Sequence, residues 1–223
     1  LVRVVGFSGR DSEGVNNVAV DSQNNVVISG YFQDDNFDAN PTPGVSFDLT
    51  PKPPRFGNAV LPDTFVEKLS GNLRMQWVEQ LAGDGNEFAD QLKIDSADNI
   101  VIGGSFYGEA TFGKHGPTIT SVANPDSFND ANDNNRENSY DPFVWKIAPD
   151  GITDWAVSFG AASDDFGAGI GITADDSILF TGRFRNTTDF NTQGQHPRLR
   201  GLGLADAFIT GFDANGVPLF DLP

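Results

Sequence analysis

The sequence contains no cysteine, one methionine and only 14 lysines and arginines in 223 residues. The absence of cysteine excludes disulfide bonds, thiolate metal sites and cysteine nucleophiles. The shortage of cations argues against a nucleic-acid binder, because phosphate neutralisation needs clustered Lys and Arg. It also argues against docking on an anionic membrane surface. No apolar run approaches the roughly 20 residues of a membrane-spanning helix, so we expect no membrane insertion.

Acidic residues, glycine and phenylalanine are abundant instead. The 31 acidic residues give a net charge of −17, and 25 of them are Asp against 6 Glu. Asp is typical of turns and of sites for hard cations, whereas Glu favours helices. Together with 25 Gly, 13 Pro and 19 Phe, this composition predicts a turn-rich, all-β protein.

Two sequence markers recur three times in constant order, which indicates internal repeats. The first is an apolar run with a central glycine, found at Val26–Phe32, Ile100–Phe106 and Ile178–Phe184. The second begins with Asp and contains Phe two residues later, at Asp63–Leu69, Asp141–Ile147 and Asp206–Phe212. The repeats cover approximately residues 1–62, 63–140 and 141–205, and residues 206–223 start a further one.

Each repeat resolves into four short predicted strands: the Asp-x-Phe strand, a strand led by Trp, a third strand such as Leu92–Asp95, and the Val-Ile-Gly strand. Tight polar turns join them, as expected for antiparallel neighbours. Four antiparallel strands repeated with one period predict a β-propeller with three blades present. A β-solenoid is the competing architecture, but its coils are shorter and lack this alternation of strands and turns.

The residues at these markers resemble a known family. The chain reads Asp63-Thr64-Phe65-Val66-Glu67-Lys68, then Gly71-Asn72, Trp77, Asp95-Ser96-Ala97-Asp98-Asn99 and Ile102-Gly103-Gly104-Ser105-Phe106. This order is similar to the bacterial SBBP repeat, a seven-bladed β-propeller-type repeat. The resemblance implies an extracellular or cell-surface protein without assigned catalysis. The third copy departs from the pattern, with Thr173 in place of Asp and Gly211 in place of Lys.

Three repeats are fewer than the four to eight blades that propellers usually need to close. The chain starts at Leu1 and no signal peptide is visible. We therefore expect either a piece of a longer multi-blade chain, which we favour, or self-assembly of several copies into a ring.

One face of the predicted propeller carries both long loops and recurring acids. The loops after the fourth strands exceed the length at which loops tend to be functional. The loops after the second strands carry an acid at the same position of each copy, namely Glu13, Glu87 and Asp165. We predict that these three acids belong to an interaction face.

Two loops alternate Asp and Asn in a way that suits calcium, which takes six to eight oxygen ligands. The predicted ligands are Asp34, Asp35, Asn36, Asp38 and Asn40 in the first loop, and Asp126, Asp130, Asn132 and Asp133 in the second. Neither loop has the glycine and terminal Glu of an EF-hand. The alternative is that these side chains form solvated Asx-turns.

Other recurring residues are interpreted as structural. Asp21 and Asp95, with Asn25 and Asn99, suit Asx-turns that cap the hairpin between the third and fourth strands. The aromatic residues of the markers are predicted to form core between blades, and the glycines to mark close backbone approach. These are Trp77, Trp155, Phe65, Phe143 and Phe208, and Gly30, Gly104 and Gly182.

Catalysis finds little support in the sequence. His115 and His196 lie in polar loops of different copies, without zinc-binding spacing, and no Ser is singled out for a triad. We predict a non-catalytic extracellular module with a structural or adhesive role, whose acidic loops contact protein, glycan or calcium. The alternatives are a carbohydrate-binding or carbohydrate-active propeller that uses Tyr31, Tyr107 and Tyr140, and a docking subunit of a larger secreted complex.

Overall fold

The computed structural model describes residues 3–33, 35–54, 61–122, 139–188, 190, 199–202 and 204–219. These residues form strands and turns, and none of them lies in a helix. The strands are β1 (Glu13–Val20), β2 (Val26–Phe32), β3 (Phe37–Asp38), β4 (Asp48–Leu49), β5 (Asp63–Leu69), β6 (Met75–Gly83), β7 (Glu87–Ile94), β8 (Ile100–Tyr107), β9 (Glu109–Phe112), β10 (Thr118–Thr120), β11 (Tyr140–Ile147), β12 (Thr153–Ser158), β13 (Phe166–Ile172), β14 (Ile178–Phe184), β15 (Thr187–Thr188), β16 (Leu199–Arg200) and β17 (Asp206–Phe212).

Three antiparallel sheets contain most of these strands, so the all-β prediction is confirmed. The sheet orders are β1-β2-β5-β6-β9-β10, β12-β11-β8-β7 and β13-β14-β17, and two further pairs join β3 to β4 and β15 to β16. We call β1, β2, β5 and β6 unit 1, β7, β8, β11 and β12 unit 2, and β13, β14 and β17 unit 3. Each unit therefore joins the last two strands of one predicted repeat to the opening of the next.

The recurring glycine of each unit faces a bulge in the neighbouring strand. The register of the first strand shifts at the same point in all three units, after Val15, Ala89 and Gly167. A Cβ on Gly104 would overlap the carbonyl oxygen of Phe88, and Gly30 and Gly182 have the equivalent clash. The predicted close backbone approach is therefore confirmed, and its cause is the bulge.

The hairpin between the first two strands of a unit is capped by the predicted aspartate. Asp21 Oδ1 accepts hydrogen bonds from the backbone N–H groups of Gln23 (2.9 Å) and Asn25 (2.8 Å). Asp95 makes the same pair of bonds in unit 2. Each turn contains one residue in the left-handed region, Asn24 (φ 62°) in unit 1 and Asp98 (φ 64°) in unit 2. Asn and Asp tolerate this conformation in tight turns. The Asx-turn prediction is confirmed.

The hydrophobic core lies between successive units as well as within them. Val66 of unit 1 is completely buried in the same cluster as Phe143 of unit 2. One unit further on, Val144 of unit 2 and Phe208 of unit 3 belong to a second cluster. Full burial of one such side chain contributes about 1.5–3 kcal/mol. Burial of apolar side chains therefore joins each unit to the next.

The predicted core aromatics fall into two groups. Phe65, Phe143 and Phe208 are at most 5% exposed. Trp77 and Trp155 are partly buried and pack on the edges of two clusters. The structure thus confirms a core position for all five, with the tryptophans at the rim.

One long loop contributes a hairpin to the neighbouring unit. Strands β9 and β10 follow β8 of unit 2 in the chain, yet β9 pairs with β6 of unit 1, with Leu81 opposite Phe112. This pairing links units 1 and 2 through backbone hydrogen bonds. Among the described residues, no apolar helix reaches the length that a bilayer crossing needs.

Candidate functional site

The described part of the first predicted calcium loop forms Asx-turns. Asp38 Oδ1 accepts from the backbone N–H groups of Asn40 and Phe47, both at 2.9 Å. Asn40 Oδ1 in turn accepts from the N–H of Thr42 (2.9 Å). The side-chain amide of Asn36 donates to Asp35. The side-chain oxygens of Asp38 and Asn40 thus bind the local backbone.

The remaining predicted ligands lie outside the described residues. They are Asp34, Asp126, Asp130, Asn132 and Asp133. Among the residues that the structure does describe, no group of three or more His, Asp or Glu side chains is arranged to hold a metal ion. Calcium binding stays a prediction.

The three acids predicted for an interaction face occupy equivalent positions at the start of a unit. Glu13 and Glu87 are the first residues of β1 and β7, and Asp165 immediately precedes β13. Glu13 is half-buried, whereas Glu87 and Asp165 are 1% and 0% exposed. The carboxyl groups of Glu87 and Asp165 therefore lie inside the protein, at the junctions between units.

Each of these two buried acids faces an aspartate of the preceding unit. Glu87 lies against Asp63, the first residue of β5, and Asp165 lies close to Asp141 near the start of β11. In both pairs 24 residues separate the two members. We call Asp63–Glu87 and Asp141–Asp165 the carboxyl pairs. Each of these acids stands at a recurring position of the sequence, and the constant spacing was the available signal for the pairing.

In the first carboxyl pair, Asp63 receives the hydrogen bonds and Glu87 receives none. Asp63 Oδ2 accepts from Lys52 N–H (2.8 Å) and from the side-chain amide of Gln80 (2.5 Å), and Oδ1 is 3.5 Å from Gly83 N. Neither oxygen of Glu87 accepts from any donor among the described residues. Both carboxyl groups adjoin Gly83, whose N lies 3.5 Å from Asp63 Oδ1 and on which an added Cβ would overlap Glu87 Oε1. Two adjoining carboxyl groups can hydrogen-bond to each other only if one of them is protonated, and Glu87, which accepts from no other described group, is the member that carries the proton.

The pKa values follow from this geometry. Burial raises the pKa of Asp63 to about 6, although its hydrogen bonds oppose the change. Burial and then the charge of Asp63 raise the pKa of Glu87 well above its usual range. Two buried carboxyl groups in contact cannot both ionise without a large penalty. The pair therefore holds one proton near neutral pH, on Glu87.

The second carboxyl pair has the same character. Asp165 accepts from Ala161 N–H and Arg185 N–H, both at 2.8 Å. Asp141 Oδ2 accepts from Val122 N–H (2.7 Å), while Oδ1 has no donor among the described residues. Burial is the main cause that raises the pKa of Asp141 to about 8 and that of Asp165 to about 6.

A buried lysine fastens the opposite end of the same junction. Lys68, near the end of β5, lies 2.9 Å from Asp21 and donates to the carbonyl oxygen of Pro149 in unit 2 (3.2 Å). In unit 2, Lys146 pairs with Asp95 at 2.9 Å and donates to the carbonyl oxygen of Ala214 in unit 3 (3.1 Å). We call each lysine, with its aspartate and carbonyl partner, a lysine clamp.

A tryptophan reinforces each lysine clamp. Trp77 Nε1–H donates to the Pro149 carbonyl (3.0 Å), and Trp155 Nε1–H donates to the Ala214 carbonyl (3.1 Å). The indole rings lie on Gly151 and Gly216, where an added Cβ would come within 2.9 and 2.7 Å of ring atoms. Both glycines have positive φ, 93° and 79°, so the turn and the close packing both require glycine.

A serine and an aspartate also bridge each pair of units. Ser22 donates its backbone N–H (2.8 Å) and its hydroxyl (2.6 Å) to Asp98 of unit 2. Ser96 makes the same two bonds, 2.9 and 2.5 Å, to Asp176 of unit 3. Unit 3 has Ala174 at the position of these serines. Together with Thr173 and Gly211, this change removes the polar side chains with which units 1 and 2 hold their successors.

One buried acid does not recur and was not singled out in the sequence. Glu67 in β5 is 0% exposed, and neither of its carboxyl oxygens accepts a hydrogen bond from the described residues. Units 2 and 3 have Trp145 and Thr210 at this position. Burial, with a contribution from the charge of Asp38, raises the pKa of Glu67 to about 8.

An aromatic cluster lies at the same end of unit 2 as the carboxyl pairs. The ring of Tyr140 is stacked 5.3 Å from Phe166 and lies 5.6 Å from Tyr107 and 6.0 Å from Phe88. Arg183 lies over the ring of Phe166, 4.5 Å from its centroid. Tyr31 packs elsewhere, against Gly14. Of the two histidines, His115 is exposed and His196 lies outside the described residues.

No protein-family model matches this chain, and no curated protein matches it significantly. The resemblance to the SBBP repeat therefore stays a prediction, carried by the motifs alone.

Proposed function

We propose that this chain is a non-catalytic interaction module of the β-propeller type, with a structural or adhesive role outside the cell. The observation that carries the proposal is the repetition of the lysine clamp at both junctions. Lys68 and Lys146, each with its aspartate and its carbonyl partner, make the same contacts one unit apart. Successive antiparallel sheets joined by the same side-chain contacts support blades that follow one another around an axis.

The location of the ionisable groups supports a role without catalysis. The four members of the carboxyl pairs are at most 1% exposed, so a polymeric substrate has no access to them. Lys68 and Lys146 are also buried, and each is bound to an aspartate. The strongly perturbed groups thus hold units together, as structural networks also do.

The charge of the chain supports contacts with neutral or cationic partners. A net charge of −17 repels anionic polymers and favours solubility. We retain calcium as a proposed ligand of the two Asp- and Asn-rich loops, since carboxylate and amide oxygens are suitable ligands. Protein or glycan at a cell surface remains the proposed partner.

The proposal is tested by comparing binding with turnover. The chain would be incubated with chromogenic glycosides and esters, and its assembly would be followed by sedimentation velocity with 2 mM calcium chloride and with EDTA. Reversible assembly, or capture of glycans on an array, without turnover supports the proposal. Hydrolysis of any of these substrates that co-purifies with the folded protein would overturn the proposal.

A carbohydrate-binding role is the second candidate, and the aromatic cluster favours it. Phe88 is 40% exposed and adjoins Tyr140, whose hydroxyl accepts from the amide of Asn86 (3.0 Å). Sugar rings pack on exposed aromatic rings while neighbouring amides bind their hydroxyl groups. Electrophoresis through gels containing xylan, galactomannan or laminarin tests this. Retardation that is lost in Phe88→Ala but kept in the control Val18→Ala would support sugar binding.

A further inference from the structure

The carboxyl pairs occupy the same position at both junctions, on the strand end opposite the lysine clamps. Asp63 begins β5 and Lys68 lies near its end, which places them roughly 17 Å apart at about 3.3 Å per residue. Each junction is thus fastened at two separate points. One point is the ion pair of the lysine clamp, and the other is the carboxyl pair, whose two members are both acidic.

We propose that each carboxyl pair is a proton-held lock between successive units, and that loss of the proton loosens this end of the junction. The geometry at Asp63–Glu87 carries the proposal. Asp63 already accepts from two neutral N–H donors at 2.8 and 2.5 Å, so it is the stabilised anion of the pair. Glu87 is buried and accepts from no donor in the described part of the chain, so its own proton is what can bind it to Asp63.

Among the residues that the structure describes, no cation is bound to the first lock that would balance a second negative charge. Asp84 lies close enough to Glu87 to raise its pKa further, and Lys52 opposes this only weakly. The Lys52 ammonium is bound to Glu109 at 3.0 Å. Deprotonation of Glu87 would therefore leave two adjacent buried anions, which repel each other and have lost their hydrogen bond.

The second lock has corresponding surroundings. Asp164 adds negative charge near both Asp141 and Asp165, and Arg185 partly offsets it at Asp165. Asp141 Oδ1 has no donor among the described residues, as at Glu87. Both junctions therefore hold a buried pair of carboxyl groups, although the interaction within the second pair is charge repulsion alone.

The expected behaviour is a junction that is tight in mildly acidic solution and looser in alkaline solution. The folded-state pKa values are raised, so the stability from the locks is complete below the unfolded pKa values. It is lost as the pH rises through the folded values. The lysine clamps are unaffected in this range, because the pKa of Asp21 is lowered to about 2 and that of Asp95 is also lowered. Units would therefore separate first at the lock end.

Thermal unfolding between pH 5 and pH 8.5 tests the proposal with Glu87→Gln. The Gln amide donates to Asp63 as the protonated acid does, but cannot lose its proton. We expect the melting temperature of the natural sequence to fall over this range, and that of Glu87→Gln to fall less and to exceed it at pH 8.5. Asp154→Asn removes the same charge from an exposed site and should retain the natural slope. Equal slopes for Glu87→Gln and the natural sequence would overturn the proposal.

Two further measurements make the test robust. Should Glu87→Gln not fold, Asp141→Asn tests the second lock in the same way.

Hydrogen exchange at the amide of Lys52, which donates to Asp63, should accelerate above neutral pH more than that of Asn25, which donates to Asp21. If calcium raises and EDTA lowers the melting temperature of the natural sequence but not of Glu87→Gln, the pair holds a cation and the proton lock is wrong.

Discussion

The ammonium group of Lys68 lies 2.9 Å from the carboxylate of Asp21, and the two side chains are 4% and 0% exposed. A buried ion pair contributes little relative to a well-packed apolar pair, but removing one partner leaves an unpaired charge. Here the lysine also donates to Pro149 of the next unit, so its loss affects the hairpin of one unit and the junction with another.

Lys68→Met should therefore destabilise the protein strongly. Breaking a buried pair costs about 3–5 kcal/mol, which corresponds to a fall of roughly 6–20 °C in melting temperature for a chain of this size. Lys93→Met is the control, since Lys93 is exposed and its replacement should leave the melting temperature nearly unchanged. Differential scanning calorimetry at pH 6 measures both, and an equal effect of the two substitutions would contradict the lysine clamp.

Gly151→Ala should destabilise the junction between units 1 and 2 more than a comparable change elsewhere. Gly151 has a φ of 93°, and a Cβ there would lie 2.9 Å from the indole of Trp77. Gly44 has a φ of 78° with nothing within 4 Å, so Gly44→Ala tests the backbone strain alone, at about 1–2 kcal/mol. Denaturant unfolding should show a larger loss for Gly151→Ala, and Trp fluorescence should report displacement of Trp77.

Glu67→Met should stabilise the protein, most clearly in alkaline solution. The substitution replaces a buried, unpartnered carboxyl group with an apolar side chain of similar length, and it removes the repulsion with Asp38. Because the folded pKa of Glu67 is raised to about 8, the natural sequence loses stability as the pH rises from about 4.5 to 8. The melting temperature of the variant should therefore exceed that of the natural sequence by a margin that grows over this interval.

Glu79→Met is the matched control for that gain. Glu79 is half-buried and accepts a hydrogen bond from Lys114 N–H (2.6 Å), so its replacement removes a hydrogen bond that Glu67 does not have and relieves less burial of a carboxyl group. A rise in melting temperature for Glu79→Met equal to that of Glu67→Met would show that general charge reduction is the cause.

The stability of the whole chain should be greatest in acid solution, near about pH 4. Below this value Asp21, whose folded pKa is about 2, takes up a proton and loses its contribution. Above it, Asp63 and Asp165 lose theirs as the pH rises through about 6, and Asp141 through about 8. Chemical unfolding at intervals from pH 2.5 to 9 measures the profile. A maximum at neutral pH would show that the carboxyl groups are not buried as described.

The features that could be predicted from the sequence are those set within a few residues. The hairpin cap at Asp95 needs only the backbone N–H groups two and four residues later in the chain. Gly104 faces the neighbouring strand, which the repeat pattern already identifies. The three copies made these local features visible three times. The all-β class followed from the same repetition, but the strand predicted at Leu92–Asp95 begins earlier, at Glu87, and ends at Ile94.

The carboxyl pairs could not be predicted in the same way, because they depend on how one unit packs on the next. Glu87 was expected on an interaction face because an acid recurs at this loop position in all three copies. In the structure the bulge and the packing of β7 on unit 1 place it against Asp63, where it is 1% exposed. The burial of Glu67 was not predicted, because a single carboxyl group in a strand of alternating pattern is expected to face solvent. In the structure both faces of β5 are covered.

The pairing of β9 with β6 has a consequence for biosynthesis. Residues 109–112 complete a sheet that begins at residue 13, so the edge of β6 stays open until the chain has been synthesised beyond residue 112. Unit 1 cannot finish folding as an independent body during translation, and a stalled chain that ends before β9 would present an unpaired strand edge to other nascent chains. Because β9 follows unit 2 in the chain but pairs with unit 1, we expect the first two units to fold and unfold as one cooperative block.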